Sequence, residues 1–122
     1  MFLQFLIDKP ECRKDFVNCF SVGRQVFSFI RHATLTKAFT KKCASAAPSE
    51  GSIEAVFIRA PVILRCGSSV QTLVTLDDSP VLVQQGNLLA ATFHPEMSSE
   101  SSSGHLIHRY FGSLIFGHWT SL

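Results

Sequence analysis

From Ile53 to Phe93 the chain alternates short apolar, β-branched runs with turn-forming residues, and this rhythm limits the fold more than any other feature. Ile53-Glu54-Ala55-Val56-Phe57-Ile58, Val62-Ile63-Leu64, the run from Val70 to Leu76, Val81-Leu82-Val83-Gln84-Gln85 and the run from Leu88 to Phe93 have strand length and strand composition. Gly67-Ser68-Ser69 and Asp77-Asp78-Ser79-Pro80 separate them as turns. Gly86-Asn87 is a two-residue Gly-X connection between apolar runs, the signal of a type II′ hairpin. The C-terminal half therefore reads as short strands in series, the last ending at His94.

The flanks are less regular. Phe2, Leu3, Phe5, Leu6 and Ile7 fit a buried strand or one helical turn equally, so residues 1–20 stay unassigned. Gly23 marks a turn within Ser21-Val22-Gly23-Arg24-Gln25, and Val26-Phe27-Ser28-Phe29-Ile30 reads as a strand. Residues 33–52 drift into small and polar types and read as a loop with a weak helix ahead of Pro48. Residues 98–104 form a serine-rich loop. Beyond it Leu106, Ile107, Tyr110, Phe111, Leu114 and Ile115 recur on one face of a helix over His105–Ile115.

A chain of 122 residues, 46% hydrophobic and 16% charged, suits one domain with a real core. A formal net charge of +2, with no basic stripe interleaved with aromatics, gives no reason to expect a nucleic-acid partner. No apolar run approaches the roughly 20 residues that span a bilayer, so no membrane partner is expected. The apolar start is short, lacks a basic leader and is interrupted by Asp8-Lys9-Pro10-Glu11, which argues against a signal peptide. A cytoplasmic location is the resulting expectation. Cys12, Cys19, Cys43 and Cys66 are irregularly spaced without a CxxC pair and read as reduced thiols. His105 and His108 are spaced i, i+3, but no thiolate or carboxylate is placed to complete a metal site.

The chemistry of the chain concentrates in His94-Pro95-Glu96. In an extended segment, residues i and i+2 share a side, and Pro95 holds His94 away from helical backbone. A carboxylate beside a histidine fixes its tautomer and steadies its imidazolium form, which supplies two members of a nucleophilic triad. A strand ending in a turn, with a surface histidine beside a surface acid, fits the same spacing. Arg59 offers a planar fork of donors suited to a carboxylate, or to an ordinary salt bridge.

Val56-Phe57-Ile58-Arg59-Ala60-Pro61, followed in order by Gln85-Gly86-Asn87-Leu88-Leu89-Ala90 and Phe93-His94-Pro95-Glu96, closely resembles the glutaminase subunit of pyridoxal 5′-phosphate synthase, a class I (triad-type) glutamine amidotransferase. Gly23-Arg24-Gln25-Val26 and His108-Arg109-Tyr110-Phe111 are similar to further family segments in the right order. The likeness covers residues 21–115, thinly from 30 to 52 and densely from 53 to 96. It implies an α/β sandwich of flavodoxin-like type and hydrolysis of glutamine to glutamate and ammonia. The ammonia would pass to a separate synthase subunit, the expected protein partner, and no cofactor is implied. By motif, His94 would be the general base, Glu96 its orienting carboxylate, and Ile58 and Arg59 would line the glutamine pocket.

The chain also departs from the family pattern. The family nucleophile is a cysteine in a Gly-x-Cys-x-Gly turn, where glycines allow a sharp bend and a close helix. None of the four cysteines has that setting; Cys66 has a glycine only at the next position. The glycine-rich segment that holds glutamine is absent, Cys19-Phe20 stands where the family has Arg-Asn, and Phe27 and Ile30 replace acidic residues. Residues 21–122 therefore read as the C-terminal part of a glutaminase domain, with several short strands and a C-terminal helix. Two outcomes are expected of such a fragment: exposed strand edges and apolar faces, and negligible activity in isolation. Two functions remain open on these grounds, a glutaminase subunit and an inactive remnant that binds or regulates the synthase subunit.

Overall fold

The computed structural model describes residues 20–24, 28–43, 46–58, 60–86, 88–98 and 101–116. Among the described residues the strands and α-helices follow in order: β1 (Phe20–Arg24), β2 (Phe29–Leu35), α1 (Lys37–Cys43), β3 (Ser52–Phe57), β4 (Pro61–Cys66), β5 (Gln71–Leu76), β6 (Ser79–Gln85), β7 (Leu88–Ala91) and α2 (Ser101–Phe116), with a 3₁₀ turn at Pro95–Met97. The strands form a five-stranded sheet in the order β3-β2-β5-β6-β7 and a two-stranded ribbon of β1 and β4. Every pairing among them is antiparallel. Connections as short as the two-residue links on either side of β6 allow nothing else, since parallel neighbours need a crossover of a dozen residues or more.

Strand β7 shows how the layers are built. All four of its residues are buried, the mark of a strand covered on both faces. Leu89 and Ala91 join the main core with Leu82, Phe93 and the helix residues Phe39, Leu106, Ile107 and Tyr110. Leu88 and Ala90, on the opposite side of the pleat, meet Val83 and the ribbon residue Ile63. The helices thus cover one face of the sheet and the ribbon lies against the other, so short strands and a C-terminal helix share one α/β assembly. No helix among the described residues is long and apolar enough to cross a membrane.

Local chemistry fixes α1. The Thr36 side-chain oxygen accepts from the Phe39 amide at 3.3 Å, an N-cap, while its hydroxyl donates to the Leu73 carbonyl at 3.0 Å. The Thr36 amide also donates to the Leu73 carbonyl at 2.9 Å, at the point where the β5–β6 register is irregular. At the far end of the sheet, Tyr110 of α2 donates a hydrogen bond to Gln84 Oε1, and Gln84 Nε2 donates to the Gly86 carbonyl at 2.8 Å. One glutamine therefore ties α2 to the β6–β7 turn.

Several boundaries differ from the sequence expectations. The segment around Gly23 is strand β1 rather than a turn, paired with β4 across a register shift between Ser21 and Val22. Strand β2 continues to Leu35 through residues expected as loop, because Ala33 and Leu35 alternate into the core while their neighbours stay exposed. The weak helix expected before Pro48 is α1. Helix α2 begins at Ser101, inside the expected serine loop: packing of Leu106, Ile107 and Tyr110 outweighs the modest helix preference of serine. Residues 1–19, Gln25 of the expected turn segment and Val26-Phe27 of the expected strand lie outside the described residues.

Candidate active site

The five-stranded sheet curls so that its end segment meets its first edge. Beyond β7 the Thr92 amide donates to the Val81 carbonyl of β6 at 2.9 Å, continuing that ladder. Two residues later the His94 amide donates to the Val56 carbonyl of β3, the opposite edge strand, at 2.8 Å. Phe93 lies between these bonds, buried in the main core with its ring 5.9 Å from that of Phe57. His94 is therefore fixed at a seam by backbone bonding before and by an aromatic anchor beside it.

The dyad expected from spacing forms there. His94 Nδ1 and Glu96 Oε1 are 2.8 Å apart. An ionised carboxylate only accepts hydrogen bonds, so in this contact Nδ1 is the donor nitrogen. The route differs from the extended pair the spacing suggests. His94 is extended (φ −104°, ψ 95°), but Pro95 opens a 3₁₀ turn through Met97. That turn, closed by the Met97 amide donating to the His94 carbonyl at 3.1 Å, brings the Glu96 carboxylate back to the ring. The His94 side chain is 18% exposed and that of Glu96 is 42% exposed, so the imidazole is sheltered while the carboxylate stays wet.

Ile58 follows directly on β3, two residues past the carbonyl that holds His94, and is 40% exposed. The structure thus brings Ile58 to the same seam as the dyad. Arg59 lies outside the described residues. A neighbouring cavity of about 180 Å³ is lined by Phe29, Phe57, Val81 and Thr92 with Arg31 and Asp77, and does not include the dyad. Its guanidinium is already engaged: Arg31 Nη2 donates to both carboxylate oxygens of Asp77 at 3.1 and 3.2 Å.

Among the described residues, the two thiols lie in or against the hydrophobic cores. Cys43 is in the main core, and burial pushes it up to about 11, against a smaller opposing pull from Arg109. Cys66 packs on the second core with Ile63, Val83, Leu88 and Ala90. Sequence reasoning missed three contributors to the seam: the Val56 carbonyl, Glu54 and Ser98. A backbone acceptor leaves no trace in composition, and the Ser98–Glu54 contact joins residues 44 positions apart.

Comparison with known proteins extends this picture. The model of the SNO glutamine amidotransferase family matches residues 13–115. Pyridoxal 5′-phosphate synthase subunit PdxT of Francisella philomiragia is 52% identical over 89 residues, covering 73% of this chain and 40% of that relative. The subunit of the same name from Kosmotoga olearia is 40% identical over 95 residues, covering 78% of this chain and 42% of the relative. A solved glutamine amidotransferase structure superposes with a TM-score of 0.54 at 42% identity, over 75% of this chain and 40% of that one. The chain spans about two fifths of the length of the curated relatives it matches. With a family match over most of its length and a seam built from the segments that carry the resemblance, this chain belongs to the SNO glutamine amidotransferase family.

Proposed function

We propose that this chain carries the base-and-carboxylate part of a glutaminase site serving pyridoxal 5′-phosphate synthesis. The observation that carries the reading is the 2.8 Å contact between His94 Nδ1 and Glu96 Oε1 in a member of this family. In this reading His94 takes the proton of a thiol nucleophile at Nε2, and Glu96 steadies the imidazolium that results. The thiolate attacks the side-chain amide carbon of glutamine, and His94 returns the proton to the departing ammonia. Ile58 and Arg59 line the glutamine pocket, with the guanidinium suited to a substrate carboxylate. The ammonia passes to the synthase subunit, and residues 21–122 form the C-terminal part of the glutaminase domain.

A second reading has its own support. Cys43 is 2% exposed in the core and Cys66 packs on the second core; neither sits on a Gly-x-Cys-x-Gly turn. None of the four cysteines has that glycine setting, and a base and its orienter without such a thiol do not turn over, so in this reading the isolated chain is an inactive remnant that binds or regulates the synthase subunit. Incubated alone with glutamine, the chain is expected to release no glutamate; release abolished by His94→Ala would overturn that expectation. Mixed with a polypeptide bearing the family's Gly-x-Cys-x-Gly segment, it should support release that His94→Ala lowers by about 10²–10⁴-fold. Release indifferent to His94 and Glu96 counts against the dyad. Co-purification with the synthase subunit tests the binding role.

A further inference from the structure

Glu96 poses a problem of positioning. Its side chain is 42% exposed, yet it must keep one geometry toward the ring to act on it. Holding an exposed glutamate in one rotamer costs side-chain entropy, so the backbone beneath it must be well fixed. The 3₁₀ turn alone is a weak support: its second bond, from the Ser98 amide to the Pro95 carbonyl, is 3.4 Å long. At its front the turn is held by the His94 amide on Val56. At its rear the Ser98 hydroxyl donates to Glu54 Oε1 at 3.2 Å.

Glu54 and Val56 are two positions apart on β3, so they share one face and one edge direction of the same strand. The turn is thus strapped to a single rigid element at both ends, with Glu96 between the straps. The front strap is a backbone bond, independent of side-chain identity unless proline replaces His94. The rear strap is made wholly of side chains, and its acceptor is a carboxylate, which makes it the stronger kind of hydrogen bond.

We propose that Ser98 and Glu54 are positioning residues, whose hydrogen bond fixes the 3₁₀ turn so that the Glu96 carboxylate stays on His94 Nδ1. This inference rests on the dyad reading of His94 and Glu96. Neither residue touches substrate or the reacting atoms; both act through Glu96.

The test reads the His94 tautomer directly. In the full chain, labelled with ¹⁵N-histidine and held where His94 is neutral, the ring nitrogen shifts report the ratio of Nδ1–H to Nε2–H forms. The unsubstituted chain should be mainly Nδ1–H, and Glu96→Ala supplies the released value. Ser98→Ala and Glu54→Ala should each lower the ratio about fivefold, as expected for loss of about one hydrogen bond's net contribution. The double variant should fall no further than either single one, and Glu54→Gln, whose neutral amide oxygen still accepts, should hold the ratio above that of Glu54→Ala. A merely structural role for either residue would not produce that rescue. An unchanged ratio in both single variants, or additive losses in the double variant, overturns the proposal while leaving the dyad intact. Should Ser98→Ala lose its folded amide spectrum, Ser98→Gly, which also lacks a side-chain donor, is read in its place, and an unchanged ratio there is equally fatal. If the unsubstituted chain already shows the ratio of Glu96→Ala, the dyad reading itself fails, and the positioning role with it.

Discussion

Cys43 ends α1 with 2% of its surface exposed, and burial pushes its thiol from 9.0 up to about 11, only partly opposed by Arg109. Tyr110, whose ring packs edge-on to Phe39 at 5.0 Å, is pushed to about 12 chiefly by burial, with the Gln84 hydrogen bond working against it and the Cys43 thiolate adding to it. Both groups have folded pKa values above their unfolded ones. Their contribution to stability is therefore complete below the unfolded values and lost as pH rises through the folded ones. For Cys43 the window runs from about pH 9 to about pH 11. Urea midpoints measured across that window should fall, and Cys43→Ala should flatten the fall; a slope unchanged by the substitution would refute the assignment. At the same scale, the contact between His94 and Glu96 was legible from spacing, because a proline between them narrows the backbone choices. Its route through a 3₁₀ turn was not, since Pro95 at a first helical position and Pro95 in an extended strand satisfy the same φ.

Turns and element ends show where local signals suffice. The β6–β7 link was legible from Gly86-Asn87, and Gly86 takes φ +58° as a primed hairpin turn requires. The β5–β6 turn was legible in place but too wide in extent: Ser79 pairs with Leu76 and Pro80 with Thr75, so only Asp77 and Asp78 form the loop. Both carry left-handed backbone, φ 50° and 67°, which aspartate tolerates better than most residues but at a cost. Asp78→Gly should relieve that cost and raise stability by about 0.5–1 kcal/mol, part of the relief being offset by the freer unfolded chain. Asp77→Gly should gain less, because Arg31 loses its acceptor; that pair is half-exposed and worth at most about 1 kcal/mol. Thermal unfolding of the two variants checks the order, and a destabilised Asp78→Gly would contradict the turn geometry. The ends of β2 and α2 were misjudged for a different reason. Ala33 and the serines ahead of Leu106 have little preference of their own, and tertiary packing decided for them.

The whole molecule joins a helix-covered sheet, a ribbon on the other face and a seam that draws the sheet's end onto its first edge, within about two fifths of the length of its relatives. Around that seam the burial pattern is uneven. Ile30 is 62% exposed opposite Val56, Ile58 is 40% exposed just past it, and Met97 is 54% exposed on the turn that carries Glu96. Large apolar side chains left exposed at Ile30, Ile58 and Met97 are candidates for an association surface. Reversible self-association should therefore rise with protein concentration, and sedimentation velocity over a concentration series should show the weight-average coefficient climbing. Because these side chains are solvated, Ile30→Lys with Met97→Lys should suppress the climb while shifting folding stability by no more than about 0.5 kcal/mol per site. A coefficient that stays flat for the unsubstituted chain would show that these side chains drive no association. A climb unaffected by the two lysines would move the contact to another surface.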